Sequence, residues 1–198
     1  FPQTLSPSSP KSHRLLFYGS LFYRPNADGV RWLVREIWPL IRAAQPEAQL
    51  NIAGLGHEAL SDLAGAPGLT FHGFVDDLDN MIRQAAALVV PLRVAGGTRI
   101  KIIEAWAKSL PVVSTTIGAE GLSSRAGEGV LLADTAEEFA GACVKVLSDP
   151  VLRSQLVEDG FERGRSRFDW PVIYRAMDEL PGISENVPGP RHHRSVTN

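Results

Sequence analysis

The stretch with the residue types to do chemistry runs from Val90 to Leu122, VPLRVAGGTRIKIIEAWAKSLPVVSTTIGAEGL. An apolar run ends at Pro91, a loop with Gly96 and Gly97 follows, and a helical pattern opens near Thr98. Small residues leading into a helix start make an anion site, because unpaired N–H groups and the positive end of the helix dipole point at the same place. Arg99 and Lys101 add two full charges beside it, and a diphosphate is the natural occupant. The same residues also fit a tight turn followed by a solvated helix surface. Glu104 lies among apolar residues at 100, 102, 103, 105, 106 and 107, a pattern that predicts a largely buried helix. A carboxylate there needs a partner. Lys101 and Lys108 at i−3 and i+4 offer one on the helix itself. A sugar diol, whose two hydroxyls one carboxylate accepts, is the functional alternative. The following loop carries Thr115, Thr116, Gly118, Ala119 and Gly121, small or hydroxylic residues that permit close approach of a sugar or phosphate, or an ordinary turn.

Other turns are weaker candidates. Gly19-Ser20 follows the first apolar run, and Arg24-Pro25-Asn26 precedes a helix for which Asn26 is a plausible N-cap. Arg24 either reaches a phosphate or is solvated. Gly54-Leu55-Gly56 superficially resembles a dinucleotide fingerprint, but it lacks the third glycine and follows the second strand. The turn after the first strand, GSLFYRPN, has no G-x-G-x-x-G, which argues against a nicotinamide dehydrogenase. His13, His57 and His72 show no metal-ligand spacing. Asp77-Leu78-Asp79 has the form of a metal-binding pair, yet it opens a predicted helix, where acidic residues are favoured anyway. There is no G-x-S-x-G elbow, and Cys143 has no neighbouring histidine.

These segments need a frame that brings them together. Apolar runs of four or five residues occur at 15–18, 49–53, 69–72, 87–91, 111–114 and 130–133. Their apolar positions are successive rather than alternate, as expected of strands covered on both faces. Helical periodicity fills the intervals at 27–43 (with Pro39 predicting a kink or early end), 76–86, 98–109, 136–147, 151–167 and 170–180. The pattern is a Rossmann-like α/β fold, a doubly wound parallel sheet of six strands, in which ligands bind beyond the carboxyl ends of the strands. Residues 1–13 read as a linker, 14–180 as the folded domain and 181–198 as a loose tail.

Composition sets outer limits. The 198 residues suit one domain, and 44% hydrophobic with 21% charged residues is ordinary for a globular chain. A formal net charge of −2 argues against a nucleic-acid partner held by bulk phosphate neutralisation. One cysteine excludes an internal disulfide and fits a reducing compartment. No apolar run approaches the ~20 residues that span a bilayer. The first residue is Phe1, not Met, and the chain reads as a piece of something longer.

The run GGTRIKIIEAWAKSLPVVSTTIGAEGL resembles the donor-site signature of the large family 4, group 1, retaining glycosyltransferases of the two-domain GT-B fold. FYGSLFYRPNADGVRWLVREIWP, LNIAGLG and LTFHGFVDDLDNMI agree in order and spacing, so the likeness spans about residues 14 to 175. The resemblance implies the C-terminal half of such an enzyme, which binds a nucleoside-diphosphate sugar and passes a hexosyl group to a glycan or lipid-linked acceptor. The N-terminal, acceptor-binding half would be missing, and the isolated half inactive. In the family, the second of two glutamates eight positions apart holds the nucleotide ribose, and the first touches the sugar. The second matches Glu104; the first position is Gly96, leaving backbone groups of Gly96, Gly97 and Thr98 to serve there. SLFYRPN does not match the family's usual phosphate-binding Arg and Lys cleanly, so the catalytic stabilisation of the leaving diphosphate passes to Arg99 and Lys101, with Arg24 as a third. Gly19, Gly118, Ala119 and Glu120 complete the implied donor site, and the base rests near His72, Gly73 and Phe74. No cofactor or metal is expected, since cations and a helix dipole take that role. The implied place is the cytoplasm or the inner face of the membrane, with peripheral membrane contact through the missing half. Two other readings share this fold: a sugar-nucleotide 2-epimerase and a non-catalytic nucleotide-sugar-binding domain.

Overall fold

The computed structural model describes Pro2, residues 13–94, 99–122 and 128–169, and Val172. The expected linker (Pro2 and His13 apart), the tail, the helix over 170–180 (Val172 apart) and the loop residues Gly96, Gly97 and Thr98 lie outside them.

Six strands form one parallel sheet: β1 (Arg14–Tyr18), β2 (Gln49–Ala53), β3 (Leu69–Gly73), β4 (Ala87–Val90), β5 (Val112–Ser114) and β6 (Leu131–Leu132). Their spatial order is β3-β2-β1-β4-β5-β6. β1 pairs with β2 on one side, Tyr18 opposite Ala53, and with β4 on the other, Leu15 opposite Ala87. The chain therefore winds outward in both directions from β1 and β4. The crevice between them is the switch point at which such sheets take ligands.

Both faces of the central strands are covered, which is why they read as continuous apolar runs, whereas the edge strand β3 exposes Thr70 and His72 on one face. Leu15 and Phe17 enter one core layer with Val30, Leu33, Ile37, Ile41, Phe139 and Cys143. Leu16 and Tyr18 enter the other with Ile82, Ile102, Ala105 and Trp106. The first layer is built from α1 (Arg24–Trp32), a π-helical turn (Leu33–Ile37), α2 (Trp38–Ala44) and, later, α5 (Ala136–Ser148). The second uses α3 (Leu78–Gln84) and α4 (Ile100–Ala107). α6 (Pro150–Phe168) packs on α4 and α5, and Gly160 lies so near the Trp106 indole that a Cβ there would stand 2.3 Å from it.

Three expectations change. The helix expected over 27–43 begins at Arg24 and is divided by the π turn. Proline has no N–H and its ring crowds the carbonyl four residues back, so the chain widens ahead of Pro39: Trp38 N–H bonds to the Leu33 carbonyl, five residues back. Asn26 is not an N-cap; it lies inside the first turn of α1, and its side chain is used elsewhere. A 3₁₀ segment, His57–Leu63, was not expected at all. Its packing rests on few apolar positions, Leu60 and Leu63, too short a pattern to read as a period.

Candidate functional site

The chain end of β1 sets the site. Tyr18 completes the strand, and Gly19 turns away with φ +146°. A Cβ at Gly19 would stand 3.0 Å from Asn26 Nδ2 and 3.1 Å from Lys101 Nζ, so a glycine lets three segments meet there. Gly54, after β2, has φ +147° and presses on the same turn, with a built Cβ only 2.0 Å from the Gly19 carbonyl oxygen. These two glycines are the close-approach points of the mouth.

Above this turn lies a cavity of about 310 Å³, lined by Tyr18, Gly19, Asn26, Lys101, Glu104 and Gly118 among others. Beside it, sharing Tyr18 and Gly19, lies a second of about 290 Å³ that includes Gly54, Gly73 and Phe74. Both open beyond the carboxyl ends of the central strands. The Phe74 ring is 70% exposed at the second.

Two charges on one turn of α4 face the first cavity. Lys101 is largely buried, and burial lowers its amine to about 8, partly opposed by the Glu104 charge. Its Nζ donates to Asn26 Oδ1 at 3.3 Å and lies 4.6 Å from the Phe17 ring centroid. Asn26 is anchored in turn, its Nδ2 donating to the Ser20 carbonyl at 2.8 Å. Glu104 accepts from the Tyr18 hydroxyl at 3.1 Å. The same hydroxyl reaches the Lys101 carbonyl at 3.0 Å. Burial first, then the Glu104 charge and hydrogen bond, pushes the Tyr18 phenol far above its ordinary range, so it stays a donor. The arrangement offers an ammonium for an anion and, about one helical turn away, a carboxylate for hydroxyl groups.

Several expectations are revised by this geometry. Glu104 is exposed, not buried, because α4 turns its opening toward the cavity; Ile100 is 58% exposed for the same reason. Neither helix neighbour pairs with it in the expected way: Lys101 bonds to Asn26, and Lys108 pairs with Asp79. Arg99 also lines the first cavity, as expected, but it is buried and its guanidinium is engaged, donating to the Ile117 carbonyl and to Glu120 Oε2, both at 3.1 Å. Glu120 is thereby an exposed ion-pair partner rather than part of the cavity wall. Ala119 is fully buried, its N–H bonded to the Thr115 carbonyl, and it does not line the cavity. Gly118 does; a Cβ there would meet Ser114 Oγ at 2.4 Å. Thr115 and Thr116 are spent on the loop, Thr116 on Asp134 through two bonds of 2.8 and 2.6 Å. Arg24 is exposed and lines neither cavity. His72 shares a hydrogen bond with Asn51 at 2.7 Å. Asp77 caps α3 by accepting from Asn80 N–H, and Asp79 is held by Lys108, so both carboxylates of that pair are engaged locally. Among the described residues no group of three or more His, Cys, Asp or Glu is placed to hold a metal, and no helix is long and apolar enough to cross a membrane.

Sequence reasoning missed Tyr18 and the paired role of Asn26. The available signal for the first was a phenol closing an otherwise apolar strand.

A family model described as glycosyl transferases, group 1, matches residues 12–149. The chain belongs to the group 1 glycosyl transferases. An uncharacterised 44.6 kDa protein from the cps region of Klebsiella pneumoniae is 26% identical to this glycosyl transferase chain over 172 residues, 82% of the chain and 44% of that protein. The lipopolysaccharide core biosynthesis glycosyltransferase LpsE of Rhizobium meliloti is 32% identical over 126 residues, 63% of the chain and 37% of LpsE. The chain thus spans less than half the length of these relatives. Among solved structures, Anabaena HepE in complex with UDP and glucose superposes with a TM-score of 0.66 at 15% identity, over 86% of the chain and 49% of that protein, which shows a shared GT-B fold.

Proposed function

We propose that this chain is the C-terminal, donor-binding half of a family 4 retaining glycosyltransferase, which moves a hexosyl group from a nucleoside-diphosphate sugar to a glycan or lipid-linked acceptor. The observation that carries the reading is that Lys101 and Glu104 both line the switch-point cavity, each held by a residue of another element. Lys101 and the opening of α4 face a diphosphate, and the Glu104 carboxylate accepts the ribose diol. The neighbouring cavity with Gly73 and Phe74 takes the base. HepE, of the same fold, was solved with UDP and glucose, which supports a nucleotide-sugar donor here.

Transfer needs the departing diphosphate to gain stabilisation as the glycosidic bond breaks. A desolvated ammonium and preorganised N–H donors supply it without reorganisation at the moment of reaction. Lys101 fits that role in place of a metal ion. Arg99, in the wall of the same cavity, adds a second positive charge while securing the loop after β5 through Ile117 and Glu120. The acceptor enters across a cleft closed by the other half of the enzyme, which also makes any peripheral contact with the inner face of the membrane from the cytoplasm. Calorimetric titration with UDP, GDP, ADP and their sugar conjugates tests the reading. Saturable binding of one nucleotide and its conjugate is expected; a folded chain that binds none of them contradicts it.

A further inference from the structure

β1 needs an aromatic ring at its last position to fill the second core layer, and phenylalanine would fill it as well. The residue there is Tyr18, 7% exposed, and a buried hydroxyl is retained only where partners repay its desolvation. Both of its partners lie on α4: the Lys101 carbonyl at 3.0 Å and Glu104 Oε2 at 3.1 Å. A phenol has one hydrogen, so these two acceptors share it. The hydroxyl thereby ties the end of β1 to the first turn of α4 and to a carboxylate that is otherwise exposed. The cations nearest on the helix do not do this work, since Lys101 donates to Asn26 and Lys108 to Asp79. Burial, then the Glu104 charge and hydrogen bond, push the phenol's ionisation upward and so disfavour a second anion beside Glu104.

An exposed glutamate on a helix samples several rotamers, and accepting two hydroxyls at once requires one carboxylate orientation. Anchoring Oε2 fixes that orientation and leaves lone pairs of both oxygens for a ligand. We propose that Tyr18 is a positioning residue that sets the preference of this site for an intact ribose diol over a deoxyribose, by holding Glu104. The inference rests on the donor function proposed above. It assigns Tyr18 no contact with the diphosphate, which lies with Lys101.

The test is titration of the wild-type chain and Tyr18→Phe with UDP, GDP and ADP and with the 2′-deoxy form of each. The substitution keeps the ring and its packing, and thermal melting of both proteins checks the fold. In the wild type the ribonucleotide that binds is preferred over its deoxy form. In Tyr18→Phe its affinity falls roughly three- to tenfold, the cost of ordering a freed Glu104 side chain on binding, while the deoxy form changes by less than about twofold. In a Glu104→Ala background, Tyr18→Phe produces no further change in the ratio. Equal weakening of both forms, or an unchanged ratio, overturns the inference, since a purely structural tyrosine affects both alike. A wild type that binds a diphosphate without preferring ribose overturns the inference and leaves the donor reading standing. A folded wild type that binds none of the six nucleotides overturns both.

Discussion

Lys101 is held in the fold at a thermodynamic disadvantage, and replacing it with methionine exposes how large that is. Its amine falls from an ordinary 10.5 to about 8 because burial penalises the charged form. Each pH unit between folded and unfolded values is worth about 1.4 kcal/mol, so the charged lysine disfavours the folded state by about 3 kcal/mol at neutral pH. Below about 8 both states hold the proton and stability does not depend on it. Between about 8 and 10.5 the unfolded chain still binds the proton while the folded chain has released it, so stability rises with pH. Relative to Lys101→Met, the wild type should therefore gain about 2 kcal/mol between about pH 7 and pH 9.5, most of the full effect. Comparing the two proteins cancels the titrations of Tyr18 and Cys143. The Asn26 partner that the substitution strands is also common to every pH. Urea denaturation of both proteins across that range gives the difference directly. Stability curves that run parallel would mean that the amine is not desolvated, and with it the account of Lys101 as a preorganised cation would fall.

Because an anion favours the charged lysine, nucleoside-diphosphate binding takes up a proton as pH passes about 8 and weakens above it; titrations in buffers of different ionisation enthalpy show this uptake, and pH-independent binding contradicts it. Gly54→Ala places a Cβ 2.0 Å from the Gly19 carbonyl oxygen at a φ of +147°, and should cost at least about 2 kcal/mol in denaturant unfolding; a neutral variant would show that the two turns are not in contact. Thr135→Ala removes the acceptor for Glu138 N–H in the α5 capping box and should cost about 1 kcal/mol, with nucleotide affinity unchanged. Gly160→Ala drives a methyl into the Trp106 indole and should cost about 1–3 kcal/mol with an altered near-ultraviolet dichroism of the tryptophans; retention of both signals would contradict the close packing of α6 on α4.

What the sequence disclosed follows from which physics is local. Strands covered on both faces leave apolar runs, as at Ala87–Val90; all six segments were legible, Gln49–Ala53 to the residue, although β3 exposes Thr70 and His72 on one face. Pro39 announced a disturbance in the first helix, but whether the chain kinks, stops or widens depends on the layer it packs against, and only the structure shows the π turn at Leu33–Ile37. The chemistry-bearing pair Lys101 and Glu104 was legible by type and spacing. Its setting was not. Apolar neighbours suggested a buried carboxylate, whereas the cavity leaves the opening of α4 uncovered and exposes Glu104 and Ile100. Reading along the helix supplied Lys101 and Lys108 as partners, because periodicity reports only neighbours within one element. The partners that matter, Tyr18 and Asn26, come from β1 and α1 and meet α4 only after the sheet forms. Arg99 shows the same limit from the other side: its place in the cavity wall was legible, but the Ile117 carbonyl and Glu120 that engage its guanidinium come from the loop after β5.

The central claim is that Lys101 and Glu104 form the diphosphate and ribose contacts of a donor site. The most direct measurement is calorimetric titration at neutral pH of the wild type, Glu104→Ala and Lys101→Met with UDP, GDP and ADP, each protein first shown to be folded. The account predicts that the wild type binds one of the three and that each substitution weakens that binding at least about tenfold, a loss consistent with removing one charged contact. Wild-type binding that survives both substitutions unchanged would place the nucleotide elsewhere and contradict the claim.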